Sequence, residues 1–207
     1  MTRAESKAET RRRLLDAAET VFHDQGYHAA SLSHVASQAG FTKGAVYSTF
    51  ESKADLFLAV LARRAAGRQA AIRAALEETA SADDLLAATA AALSRFGDSV
   101  ASERSFWAAL IEFMIVVGRD ETLQARFAAH HDASREAVAE SAREWAERSG
   151  ATLTVEPQAL ATAVMALNIG LTLESLIAPD EVDPQLYPDA QLALLQGALK
   201  VDRGQGG

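Results

Sequence analysis

The chain has 207 residues, 49% hydrophobic and 6% aromatic, with four prolines and no cysteine; this bounds a folded globular protein and excludes a disulfide framework, a thiolate metal site and a cysteine nucleophile. The start, MTRAESKAETRRR, lacks the apolar stretch of a secretory leader, and no run approaches the roughly 18–20 uninterrupted apolar residues of a membrane span, so the expected address is the cytoplasm, without a membrane partner. The formal net charge of −8 is uneven: residues 1–64 hold nine Lys/Arg against seven Asp/Glu and the remainder eleven against twenty-one, a segment that tolerates phosphate beside a larger one that repels it.

Ala, Leu, Glu and Arg dominate, residues that lose little freedom in a helix. Apolar positions recur at three- and four-residue spacing, and alternating β-branched runs are absent, so the reading is all-α: about nine helices and no strand. A first helix over 9–25 buries Leu14, Leu15, Ala18, Val21 and Phe22, with Gly26 as its stop. Arg11, Arg12 and Arg13 place three cations near its start, where the macrodipole disfavours them; contact with DNA phosphates and plain solvation both accommodate that. Two short helices follow at 32–38 and 42–48. Ser31 or Ser33 caps the first, Ala39 and Gly40 form the break, and Thr42 caps the second. Ser52 with Asp55 three residues on resembles a capping box and opens a fourth helix reaching about 78. Further helices are predicted at about 82–97, 102–117, 120–149, 156–178 and 188–201, with a proline-rich loop over 179–188.

Two short helices joined by a glycine-containing turn describe a helix-turn-helix. Val35, Ala36 and Val46 supply small apolar contacts where the pair crosses, while Phe41 and Phe50 bracket the second helix. Its remaining face carries Thr42, Lys43, Gly44, Tyr47, Ser48 and Thr49, small or hydrogen-bonding groups suited to a major groove. Gly44 costs about 1 kcal/mol in a helix relative to Ala, which a close approach of backbone to DNA would explain. Ser31 and Ser33 are counted with this face.

The stretch SLSHVASQAGFTKGAVYSTFESKADLFLAVL resembles the signature of TetR/AcrR-type regulators over some 45 residues, counting the first helix and its QGY ending. The resemblance implies that Thr42, Lys43 and Gly44 open a recognition helix, that Tyr47 contacts phosphate and that Lys53 grips the DNA backbone. Ser48 and Thr49 stand where many members carry a larger aromatic or histidine pair, and His34 where an acidic residue is frequent; these departures bear on which operator is read.

In the body, the helix at 102–117 is apolar almost all round and is expected at the buried centre. Phe106, Trp107, Leu110, Phe113 and Met114 line a cavity or fill an ordinary core, and Glu112 is either at the helix edge or paired with an arginine. The next helix turns Leu123, Phe127, His131, Ser134, Val138 and Trp145 inward; His131 is a satisfied core histidine or a ligand contact. Phe127, His131, Asn168 and Leu171 complete the candidate effector set, Asn168 being a ligand contact or a polar register pin. His130 and His131 point about 100° apart on a helix and make no metal site. The resemblance further implies a dimer through the last two helices, with Leu160, Val164, Leu167, Gly170, Leu192, Leu195 and Leu199 at the interface.

The expected organisation is a helix-turn-helix domain at 8–54, a sensing and dimerisation domain at 55–202, and flexible tails at 1–7 and 203–207. The function expected is DNA-binding transcription regulation, as a homodimeric repressor released from double-stranded operator DNA by a small, largely apolar or aromatic effector, with no cofactor and no metal. The alternatives are a regulator with no effector, and a helical carrier or enzyme without DNA binding. For an enzyme there is no Glu-x-x-His pair and no phosphate loop; a carrier leaves the TKGAVY helix unexplained.

Overall fold

The structure is a computed structural model that describes residues 3–77 and 82–201. Among these, the elements in chain order are α1 (Arg3–Ala29), α2 (Leu32–Ala39), α3 (Lys43–Tyr47), α4 (Lys53–Glu77), α5 (Ala82–Ser102), α6 (Arg104–Val117), α7 (Glu121–Ser149), β1 (Ala151–Leu153), α8 (Pro157–Ile177), α9 (Leu186–Gly197) and β2 (Leu199–Val201). The all-α architecture is as expected, with an N-terminal helix-turn-helix.

Two expectations at the ends of elements are corrected. The absence of strands does not hold: β1 and β2 form an antiparallel ladder pairing Ala151 with Val201 and Leu153 with Leu199. Three residues are too few for a period of two to show in sequence. The helix predicted at 188–201 therefore ends at Gly197. Nor are residues 3–7 a tail, because α1 begins at Arg3; the RRR run consequently lies in the third turn of the helix, not at its start. Gly26 does interrupt α1, with φ 74° and ψ 178°. The expected end of α4 at 78 and the tail at 203–207 lie outside the described residues.

The chain forms two compact units, one of residues up to Ala66 with Glu103–His130, the other of Gly67–Ser102 with residues from His131 onward. In this division α6 lies in the same unit as the helix-turn-helix. The reason is visible in the first unit's core. Phe22 of α1, Tyr27, Phe57 of α4, and Phe106 and Phe113 of α6 are all buried. The Phe57 ring meets those of Phe22 at 4.7 Å and Phe113 at 4.8 Å between centroids, and Tyr27 meets Phe113 at 4.9 Å. Each such pair adds about 0.5–1.5 kcal/mol beyond burial of its area. Leu14, Ala18, Val35, Val46 and Val60 complete this core.

In the second unit Ala142, Leu160 and Ala198 form a buried cluster, with Leu153, Val164, Leu194 and Leu195 packed against it. The β1–β2 ladder closes this corner, and Thr154 N–H donates to the Ala198 carbonyl at 2.8 Å. Tyr187, 1% exposed, lies edge-on to Phe96 of α5 at 5.7 Å.

Candidate nucleic-acid interface

α2 begins at Ser31, whose Oγ accepts the His34 N–H at 3.2 Å, and buries Leu32, Val35, Ala36 and Ala39. It ends at Gly40, which takes the left-handed conformation (φ 72°, ψ 31°) and donates its N–H to Ala36 and Ser37; a side chain is disfavoured there. Thr42 caps α3 by accepting the Ala45 N–H at 3.3 Å. Val46, fully buried, anchors this five-residue helix from one side. Its outer side then carries Thr42, Lys43, Gly44, Tyr47 and Ser48, all exposed, with Thr49 half-buried.

Within that face, the Lys43 ammonium lies 5.6 Å from the centroid of the Tyr47 ring, which is 51% exposed. Ser48 Oγ and Thr49 Oγ1 both donate to the Ala45 carbonyl, at 2.8 and 3.0 Å, so the exposed Ser48 hydroxyl has acceptor capacity left for a base or phosphate partner. A Cβ at Gly44 would meet only Thr42 Oγ1, at 3.8 Å. The protein itself therefore does not require glycine at 44. Ser33 is exposed on α2.

Of the three arginines expected to face phosphate or solvent, Arg11 and Arg13 hold the motif together, while Arg12 is solvent-exposed. Arg11 stacks 4.7 Å over Phe50 and Arg13 4.8 Å over Phe41, and Arg13 also donates to the Ala39 carbonyl at 2.9 Å. Arg12 pairs with Glu9 and Asp16. Cation–π contacts of this kind contribute about 0.5–1 kcal/mol each at exposed sites, and they fasten both ends of α3 to α1.

Lys53 does not present its ammonium outward. Nζ donates to the carbonyls of Tyr27 (2.7 Å), His28 (2.9 Å) and Ala30 (3.0 Å) and lies 4.6 Å from the Tyr27 ring centroid. All three protons are thereby used, and a phosphate contact through Nζ would mean giving up one of them. Burial lowers its pKa, opposed by the negative charge of Glu112. Glu112 approaches the same turn from α6: its Oε2 accepts the His28 N–H at 2.7 Å. The expectation was a helix-edge position or an arginine partner; Glu112 is half-buried and its partner is a backbone amide.

The candidate effector residues are divided between the units. Phe106, Trp107, Leu110, Phe113, Met114 and Phe127 belong to the first, and His131, Asn168 and Leu171 to the second. Phe106 and Phe113 are 2% and 0% exposed, and their faces meet neighbouring rings; of the two expected roles, theirs is that of core. α6 is less uniformly buried than expected, since Ile115 is 55% exposed. Burial lowers the His131 pKa, assisted by Arg135. Asn168 Oδ1 is buried with no hydrogen-bond partner, as are Thr172 Oγ1 and Tyr187 OH. Sequence reasoning missed the last two: Thr172 carried a signal, four residues after Asn168 in an apolar run, whereas Tyr187 had been read as loop.

In the single chain the residues of the expected dimer set differ in exposure. Leu160 is buried in its own chain's core with Val164 and Leu195 packed there; Leu167, Leu192 and Leu199 are half-buried. Gly170 is exposed, and it shares a stripe with the exposed Ala163, Ala166, Leu173 and Ile177 at alternating spacings of three and four. α8 is long and apolar enough by length and composition alone to cross a membrane, although Gln158, Thr162, Asn168, Thr172, Glu174 and Ser175 interrupt its apolar run.

Residues 14–60 match the family model described as bacterial regulatory proteins, tetR family, and residues 89–200 match that of the BetI-type transcriptional repressor, C-terminal. The transcriptional activator FasR of Mycolicibacterium smegmatis is 45% identical over 71 residues, covering 34% of this chain and 32% of that protein. The transcriptional repressor BepR of Brucella suis is 45% identical over 62 residues, covering 30% of this chain and 29% of that protein. Each match thus spans about a third of the relative's length. Among solved structures, a candidate transcriptional regulator from Saccharomonospora viridis in complex with choline superposes with a TM-score of 0.67 at 19% identity, covering 93% of this chain and 98% of that one. A SmeT–triclosan complex does so with 0.65 at 20% identity, covering 95% and 93%. At these identities the likeness is one of fold. With the C-terminal match spanning more than half of its length and the N-terminal match falling on the helix-turn-helix, the chain belongs to the TetR family of bacterial regulatory proteins.

Proposed function

We propose that this chain is a DNA-binding transcription regulator, acting in the cytoplasm as a homodimeric repressor that a small, largely apolar or aromatic effector releases from its operator. The observation that carries the reading is the exposed face of α3. Thr42, Lys43, Gly44, Tyr47, Ser48 and Thr49 are small, cationic or hydrogen-bonding, and the helix behind them is fixed by Val46, Phe41 and Phe50. In this reading Lys43 and Tyr47 contact phosphates, Ser33 assists from α2, and Ser48 accepts from an exocyclic base amine. Lys53 and Ser31 position the motif through the bonds described above. The repressor sense agrees with BepR and the BetI-type match; FasR, named an activator, marks the opposite sense as the alternative.

Two recognition helices must reach successive major grooves about 34 Å apart, so the head needs a partner copy. The α8 stripe of Ala163, Ala166, Gly170, Leu173 and Ile177 is the face proposed for it: small residues allow close helix approach, and Leu173 and Ile177 are 42% and 69% exposed in the single chain. The test is a titration of the purified protein against duplex DNA from upstream of its own gene, across a salt series. Tight binding that weakens steeply with salt and is lost in Lys43→Ala/Tyr47→Ala supports the reading; binding equal to that on random duplex, or unchanged in the double variant, overturns it.

A further inference from the structure

Buried polar side chains are concentrated in one place. Among the described residues, the polar side chains that are buried are Thr172, Ser175 and Gln191, on α8 and α9. Of the five buried side-chain atoms without a partner among the described residues, Asn168 Oδ1, Thr172 Oγ1 and Tyr187 OH belong to the same two helices, and Arg64 Nε and Trp145 Nε1 to α4 and α7. Leu160 shares a buried cluster with Ala198, and Val164, Leu194 and Leu195 pack against it. For two helices joined by a short reversing loop, that register brings Asn168 to the level of Gln191 and Thr172 to the level of Tyr187. Asn168, Thr172 and Ser175 follow at helical spacing along one face of α8, as Tyr187 and Gln191 do along α9.

The flanking members of this seam are satisfied: Ser175 Oγ donates to the Thr172 carbonyl at 2.9 Å and Gln191 Nε2 to the Tyr187 carbonyl at 3.2 Å. Its centre is not. Thr172 and Tyr187 are each 1% exposed, and burying an unpartnered hydroxyl costs stability that Val or Phe would not. Thr172 also departs from a local habit. The hydroxyls of Thr10, Thr20 and Thr162 donate to the carbonyl four residues back, at 2.9, 3.3 and 2.8 Å; that of Thr172 does not.

Resting on the effector-responsive reading above, we infer that the α8–α9 seam of Asn168, Thr172 and Tyr187 is the hydrogen-bonding part of the effector site, and that it takes an uncharged molecule with a phenol, hydroxyl or amide group. Such a group donates to Asn168 Oδ1 and accepts from the Thr172 and Tyr187 hydroxyls. No ionised side chain is buried among the described residues, so a charged ligand head would lose its hydration without a counter-charge. The Phe96 ring against Tyr187 suits an aromatic ligand body.

The experiment uses the full chain, with Thr172→Val and Tyr187→Phe as shape-conserving variants, and four probes: phenol, toluene, benzoate and choline. Without probe, both variants hold or raise the thermal midpoint, by up to about 4 °C; a fall in both would show the hydroxyls to be structural and overturn the inference. Phenol binds the wild-type chain about tenfold more tightly than toluene, and each variant loses that margin. A margin kept in both variants, or stronger binding of benzoate or choline than of phenol, also overturns it. Release of the DNA complex is read in parallel. If a probe releases DNA from wild type and variants alike, effector response stands and the seam falls; if phenol binds through the seam and releases nothing, the seam stands and effector response falls.

Discussion

Lys53 and Glu112 reach the Gly26–Ala30 turn from different helices, and together they fix its carbonyls and its amide. Gly26 is where that clamp is tightest: a Cβ there would lie 2.8 Å from Glu112 Oε1, at a φ of 74°. Gly150 shares a positive φ of 65° but meets nothing within 4 Å. Gly150→Ala is therefore expected to cost about 1 kcal/mol from strain alone, and Gly26→Ala distinctly more, about 2–3 kcal/mol, chiefly because ψ 178° puts Gly26 in a region reserved almost entirely for glycine and secondarily because Glu112 must shift. Urea unfolding of the two variants measures the difference; equal costs would refute the special demand for glycine at position 26. His131 makes a pH prediction. Its folded pKa lies below the unfolded value of about 6.5 because burial and Arg135 disfavour the imidazolium. The unfolded chain then binds the extra proton first, so this contribution is complete above pH 6.5 and is lost as pH falls toward the folded pKa. The thermal midpoint should drop less between pH 8 and pH 5 in His131→Gln than in the wild-type chain.

Much of the interface was legible at this scale, since Gly40, Thr42 and Val46 act through their neighbours in sequence. The partners of Lys53 and Glu112 were not. Both bind backbone groups, and a carbonyl or an amide has no residue identity to read.

At the scale of elements, α1, α4 and α6 are joined by a chain of alternating charges: Asp16 and Glu19 on α1, Arg63 and Arg64 on α4, and Glu103 at the start of α6. Arg64, with 15% of its side chain exposed, also lies 4.1 Å over the Phe106 ring. Its stem and guanidinium plane both pack, so Arg64→Ala is expected to cost about 2–3 kcal/mol and Arg64→Met less. Chemical denaturation of both variants checks the order, which reverses if the charge alone matters. Sequence periodicity located the described helices but misjudged the start of α1 and the ends of α5 and α9. Residues 3–13 offer no strong apolar stripe, and that stretch is held by local pairs such as Arg12 with Glu9 and Asp16.

At the scale of the whole molecule, the apolar residues of α8 divide into two sets. One set, Leu160 and Val164, closes its own unit; the other, with Leu173 and Ile177, faces outward. Periodicity gave the helix but not the division, because both faces are apolar and only the packed neighbours tell them apart. Leu173→Glu/Ile177→Glu should convert the proposed dimer to a folded monomer with unchanged helical content and at least about tenfold weaker DNA binding. Light scattering with circular dichroism reads this directly, and a dimer surviving the double charge would assign the interface to another face.

The β1–β2 ladder bears on the order in which the chain folds during synthesis. All segments of the first unit have been made once His130 is complete, so its aromatic core can close early. The second unit waits for Leu199–Val201 to return to Ala151–Leu153, a closure over some fifty residues and slow by the entropy of the intervening loop. Until then the Ala142–Leu160–Ala198 cluster that the ladder closes is incomplete, so the second unit is expected to be the later of the two to fold.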